Sequence, residues 1–181
     1  LIDDNSKNLQ LFRYWVRQDG NELYTASGDL AVSVEQVAAW WSYWKDLRDN
    51  GITPDAATSI EYGPATLENS LIVKKKVAIR AVPANQYTLY VKAMPDSEVV
   101  IARNPSKVGG MVGEYVEGAH FAIYSRTTPE KKLAAAKLMN FWLNSEEAWE
   151  LFGLDQGVPA NTKMASFIKP NLDDVQQGVM E

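Results

Sequence analysis

Apolar positions spaced by three and four alternate along this chain with short runs bounded by glycine, proline and lysine. That pattern predicts alternating helices and strands. Residues 7–18, KNLQLFRYWVRQ, read as a short helix or turn-rich segment closed by Asp19-Gly20. Leu23 and Tyr24 alternate with polar neighbours as a short strand or hairpin edge, with a turn at Ser27-Gly28-Asp29. Ser33 and Gln36 have the spacing of a capping box. The helix they open carries Val34, Val37, Trp40, Trp41, Trp44 and Leu47 on one stripe, read as core, and stops at Asn50-Gly51.

Thr53-Pro54 begins a loop that reaches Gly63-Pro64, and Pro64 suits the first turn of a helix over 64–74 burying Leu67, Leu71 and Ile72. Lys74-Lys75-Lys76 closes that helix, where the negative end of its dipole favours cations, and 77–82 begins a buried strand. A short helix is expected over 85–94, a strand at 99–102, a glycine-rich loop over 104–118 and a strand over 120–124. Thr127 or Thr128 caps the next helix, with Pro129 near its first position, Glu130 in its first turn, and Ala134, Leu138, Phe141 and Trp142 as its apolar face. Asn144-Ser145 caps a second helix, EEAWELF, ending at Gly153, and weaker helical segments follow to Glu181. The class read from this alternation is α/β, with no internal repeat.

Composition removes several functions. The 181 residues contain no cysteine and one histidine, His120, so thiol chemistry, disulfides and multi-histidine metal sites have no ligands here. A net charge of −5 argues against nucleic acid as a partner. No apolar run approaches the roughly 20 residues of a membrane-spanning helix. The chain starts at Leu1 without a signal peptide, as a processed or truncated chain would, which keeps an exported origin open. Six Trp, eight Tyr and five Phe are a high aromatic content, and rings near turns suit sugars as well as cores.

Four stretches together resemble the extracellular solute-binding proteins of ABC importers, in the family 1 cluster that includes maltose-binding protein, in their C-terminal half. They are FRYWVRQDGNELY at 12–24, VEQVAAWWSYWKDLRDNGITP at 34–54, LIVKKKVAI at 71–79, and EGAHFAIYSRTTPEKKLAAAKLMNFWLNSEEAWELFGLDQGVPAN at 117–161. The third departs from the family pattern Phe-x-x-Gly-Lys-Val-Ala-Met: Ile72 stands for Phe, Lys75 for Gly and Ile79 for Met.

The resemblance implies a periplasmic-binding-protein-like type II lobe, three-layer α/β/α, as a fragment of a two-lobe protein. Residues 1–76 and 113–181 would form the C-terminal lobe, and 77–112 an excursion with hinge crossings into the N-terminal lobe. Function would then be capture of a small solute by hinge closure, with a membrane permease as partner, no cofactor, and a place in the periplasm or on the cell surface as a lipoprotein. The implied ligand contacts are Tyr14 and Trp15; Asn85, Gln86 and Tyr87; and Glu114, Tyr115 and Glu117. The rings would stack on the ligand, and the amides and carboxylates would bond its hydroxyls. Core packing is an open alternative for Trp15, as is a solvated loop for Glu114 and Glu117 and a structural role for His120. A sugar or oligosaccharide leads as ligand; peptides, polyamines and metal chelates stay open. Two other classes compete: a glycosidase using Glu114 and Glu117 as paired carboxylates, and a protein-docking module.

Overall fold

The structure is a computed structural model that describes residues 1–181 except Pro64, Glu117, Ala119, Gln156 and Glu181. Its contacts divide the chain into two units, Leu1–Val82 with Tyr90–Val116, and Pro83–Leu89 with Glu117–Glu181. The backbone of 77–80 pairs with the chain start: the Ala78 amide donates to the Leu1 carbonyl and the Asp3 amide to the Ile79 carbonyl, each at 2.9 Å.

In the first unit, α1 (Leu9–Arg17) starts at Asn8, whose side chain accepts from the Leu11 amide. α2 (Val34–Asp49) starts with both halves of the capping box between Ser33 and Gln36 in place. The two helices meet through rings: Phe12 and Trp15 each lie 5.6 Å from Trp40, and Trp15 lies 5.1 Å from Tyr43. Such tilted and edge-on pairs add about 0.5–1.5 kcal/mol each beyond the area they bury. Trp40 and Trp44 are core, as expected, but Trp41 is 48% exposed because it points off the stripe facing α1. Trp40 also donates from its indole nitrogen to the Ser6 carbonyl at 2.9 Å, which fixes the segment before α1.

Gly51 ends α2 with a left-handed φ of 65°; its amide returns to the Arg48 carbonyl and the Ile52 amide to the Leu47 carbonyl. This is a Schellman closure. The same closure recurs after residue 74. There the Lys75 amide returns to the Ile72 carbonyl, the Lys76 amide to the Leu71 carbonyl, and Lys75 has φ 56°. Lys75 thus occupies the conformation for which the family pattern places glycine.

Several expected elements differ. Residues 53–63 are not all loop: Asp55 accepts from the Thr58 amide at 2.7 Å and caps α3 (Ala56–Tyr62). The helix expected over 64–74 is a 3-10 turn, Leu67–Asn69, followed by turns, with Leu71 buried. Among the described residues the β pairing consists of two isolated bridges, Ile2 with Ile79 in parallel and Tyr24 with Leu30 antiparallel. The second closes the hairpin expected around Gly28. The stretches 99–102 and 120–124 carry strand-like residues but run without a ladder, and Val100 and Tyr124 are well exposed. A strand needs a neighbour's backbone for its ladder, so strand-like residues alone do not make one, and among the described residues no sheet of an α/β/α sandwich is seen.

In the second unit, α5 (Pro129–Asn144) is capped by Thr128 with Pro129 inside its first turn, and α6 (Glu146–Phe152) ends at Gly153. α7 (Thr162–Ile168) and α8 (Asp174–Met180) follow. The core gathers Trp149, Leu154, Met164, Ile168 and Leu172. α5 buries no side chain fully, and Leu138 and Phe141 of its expected apolar face stay exposed. Its ring contacts converge on Trp142, stacked 3.8 Å from Phe152 and 5.5 Å from Phe121. α4 (Tyr87–Ala93), which runs across the 89/90 boundary, follows a 3-10 turn, Ala84–Gln86, as the short helix expected over 85–94.

Candidate functional site

The chain start, the first turn of α1, α3 and the segment around Arg80 line an open groove of about 440 Å³ in the first unit. Residues 3–10 form one wall; Ser59, Tyr62, Gly63, Leu71, Arg80 and Ala81 form the rest. The size suits a small-molecule site. Two ion pairs hold the walls: Arg80 donates from Nη1 to Asp3 Oδ2 at 2.6 Å, and Arg48 donates from Nη1 to Asp4 Oδ2 at 2.7 Å. The two acid side chains are only 13% and 5% exposed, so removing either partner would leave a largely buried charge uncompensated. Burial pushes the Asp3 carboxyl above its ordinary value, against the opposing pull of the Arg80 guanidinium. Arg80 Nε is buried and meets no acceptor among the described residues. Asp4 also accepts from the Ser6 amide, and Asn5 donates to the Asp3 carbonyl.

The residues expected from sequence fall in several places. Tyr14 is buried, and its hydroxyl lies 3.1 Å and 3.3 Å from the carbonyls of Asn104 and Pro105 and 3.0 Å from Ser106 Oγ. Trp15 packs between Trp40 and Tyr43, with the Lys107 ammonium 4.3 Å over its ring. Tyr115 lies under Arg13, 4.3 Å from guanidinium to ring, and donates to the Gln10 carbonyl. Glu114 pairs with Arg103 at 3.5 Å. Glu117 lies outside the described residues, and with it the separation on which a paired-carboxylate reading depends.

Tyr14, Trp15 and Tyr115 therefore come together as a clamp of α1 on the 104–116 loop. Its further bonds run from Arg17 Nε to the Gly113 carbonyl at 3.1 Å and from the Lys107 amide to Gln18 Oε1 at 2.5 Å. Asn85, Gln86 and Tyr87 belong to the second unit, at the junction of the 3-10 turn and α4. Asn85 donates to the Asp155 carbonyl at 3.1 Å within the second unit.

The contacts expected from sequence do not include Asp3, Asp4 or Arg80. The signal is present in two forms: an acidic doublet beside the chain start, and one arginine inside the apolar run Val77-Ala78-Ile79-Arg80-Ala81-Val82. A charge in such a run needs a buried partner, and the structure supplies one from residue 3.

The family model for bacterial extracellular solute-binding proteins matches residues 4–177. The chain belongs to that family. Its members are extracellular, which places this solute-binding protein outside the cytoplasm. Among solved structures, it is similar to an extracellular solute-binding protein family 1 from Alicyclobacillus acidocaldarius subsp. acidocaldarius DSM 446, with a TM-score of 0.72 and 25% identity. The match covers 98% of this chain and 45% of that one, so this chain spans under half the length of the structure it matches.

Proposed function

We propose that the chain is part of the substrate-binding component of an ABC importer, capturing a small solute between two lobes that close on it. The match of the family model across residues 4–177 is the observation that carries this reading. Capture requires a cleft with few polar groups and an equilibrium that the ligand shifts, and no catalytic step enters. In this reading the chain supplies the C-terminal lobe of a type II, two-lobe fold, and a membrane permease receives the loaded protein. A sugar is the leading solute, from the content of Trp and Tyr.

The test is a thermal-shift and calorimetric screen of the intact protein against sugars, polyols, amines, carboxylates and short peptides, with product analysis alongside. A ligand present at about 100 times its Kd stabilises the folded state by about 2.7 kcal/mol. A saturable rise in Tm without turnover supports capture; turnover of any compound overturns it.

A further inference from the structure

We propose that the groove at the chain start selects a small solute bearing a carboxylate, and that the Lys7 ammonium holds that group. The proposal rests on the capture reading above and gives its solute a charge.

The charges along the groove cancel in pairs, with one left over. Asp3 and Asp4 lie in the lining, and each has its own guanidinium, Arg80 at 2.6 Å and Arg48 at 2.7 Å. Arg48 reaches Asp4 from α2 and is not part of the lining. Lys7 is a third cation, exposed in the same wall, and no carboxylate pairs with it among the described residues. Two acids therefore face three bases, and the surplus is the Lys7 ammonium. An incoming carboxylate can pair with it while both largely buried acids keep their partners. A cation finds no free carboxylate and meets Lys7 as a like charge.

Hydrogen bonding points the same way. Next to Lys7, Asn8 caps α1: its side chain takes the Leu11 amide and its carbonyl the Phe12 amide. The Leu9 and Gln10 amides precede the first intrahelical bond and are left for an outside acceptor. Both residues line the groove, at the positive end of the α1 dipole. Arg80 Nε adds a buried donor without an acceptor among the described residues. What the groove lacks is acceptors, and a carboxylate supplies two acceptor oxygens. The other wall carries the end of α3, whose last carbonyls repel an anion, so the carboxylate lies on the Lys7 side. Asn5 and the Tyr62 ring remain for the uncharged part of the solute.

The experiment is calorimetric titration of the intact protein at low salt with glucose and galactose, their uronates, glucose 6-phosphate and putrescine. It is repeated for Lys7→Gln, an exposed position, and for Lys74→Gln, the same charge change outside the lining. A uronate should bind at least about fivefold more tightly than its neutral parent, the scale of one partly exposed ion pair. Added salt should narrow that gap; Lys7→Gln should abolish it, and Lys74→Gln should preserve it. A neutral parent that matches its uronate overturns the inference, as does a preference that survives Lys7→Gln or is lost equally in Lys74→Gln. Tighter binding of glucose 6-phosphate or putrescine than of either uronate overturns it too. All of these outcomes leave capture standing. If no probe binds, the inference falls alone when the broader screen finds another ligand, and falls together with the capture reading when that screen is also silent.

Discussion

Arg80 and Asp3 are 77 residues apart in the chain and meet at 2.6 Å, Nη1 to Oδ2, beside the backbone pairing of Ile2 with Ile79. The pair is not a simple stabiliser. Burial raises the Asp3 pKa above its ordinary value of 3.8 despite the guanidinium, so desolvation outweighs attraction. An acid with a raised folded pKa binds its proton more readily in the folded chain than in the unfolded one. Stability from this group is therefore fully present below 3.8 and is lost as pH rises through the raised folded value. Measured by urea unfolding, the stability of wild type minus that of Asp3→Asn should fall as pH rises from the ordinary Asp value to neutrality. A difference that grows with pH would mean that Arg80 outweighs burial. Taking the difference matters, because Glu35, Asp55, Glu68 and Glu130 have lowered values and pull the total the other way.

Lys75 and Gly51 close the same backbone motif, yet one carries a side chain in the left-handed region and the other does not. A non-glycine residue there costs about 1–2 kcal/mol, partly offset by glycine's freedom in the unfolded chain. Lys75→Gly should raise stability by about 1 kcal/mol in chemical denaturation, whereas Lys75→Ala should bring no gain because it keeps the Cβ. Equal effects of the two would assign the change to the lysine charge instead of to φ.

Local chemistry makes these features legible, and long-range pairing sets the limit. The serine box at Ser33, the Thr128 cap, Pro129 and the stops at Gly51 and Gly153 each act within a few residues, and all stand where the sequence pattern puts them. Asp55 is harder to see as a cap because the nearby proline and glycine outweigh it in a local reading, although its bond to the Thr58 amide is as local as the others. The strands are another matter. Val99 to Ala102 has the residues of a strand, but pairing depends on an edge elsewhere, which no local pattern reports. The groove shares that limit, since its walls join residues 3–10 to Arg80. Tyr14 and Tyr115 stand out in the sequence as rings near turns, but which groups they meet is set by chain far away. In the first unit the Tyr14 hydroxyl bonds the 104–106 segment, and the Tyr115 ring lies under Arg13.

Gly113 packs tightly against α1. It is buried, and a Cβ at this position would collide with the backbone carbonyl oxygen of Tyr14, which cannot rotate away. Gly113→Ala should push the loop off α1, strain the Arg17–Gly113 bond, and cost about 1–3 kcal/mol by overpacking. Hydrogen exchange reads the effect directly. The Met111 amide, which donates to the Gln18 carbonyl at 2.8 Å, should exchange faster in the variant, while amides in α7 should not change. Uniform acceleration across both would point to global destabilisation without a local clamp.

Two serines open helices and look alike in sequence, but only one does a cap's work through its side chain. Ser33 accepts from the Gln36 amide at 3.3 Å while Gln36 Oε1 accepts from the Ser33 amide at 2.9 Å; Ser145, before α6, makes no such side-chain bond. Ser33→Ala leaves the Gln36 amide in the first turn of α2 to water and should cost about 1 kcal/mol. Ser145→Ala should stay within about 0.5 kcal/mol of wild type, because nothing at the start of α6 depends on its hydroxyl. Equilibrium denaturation of the two variants side by side checks this. Equal losses would show that Ser145 caps α6 in solution and that the difference between the two helix starts is not real.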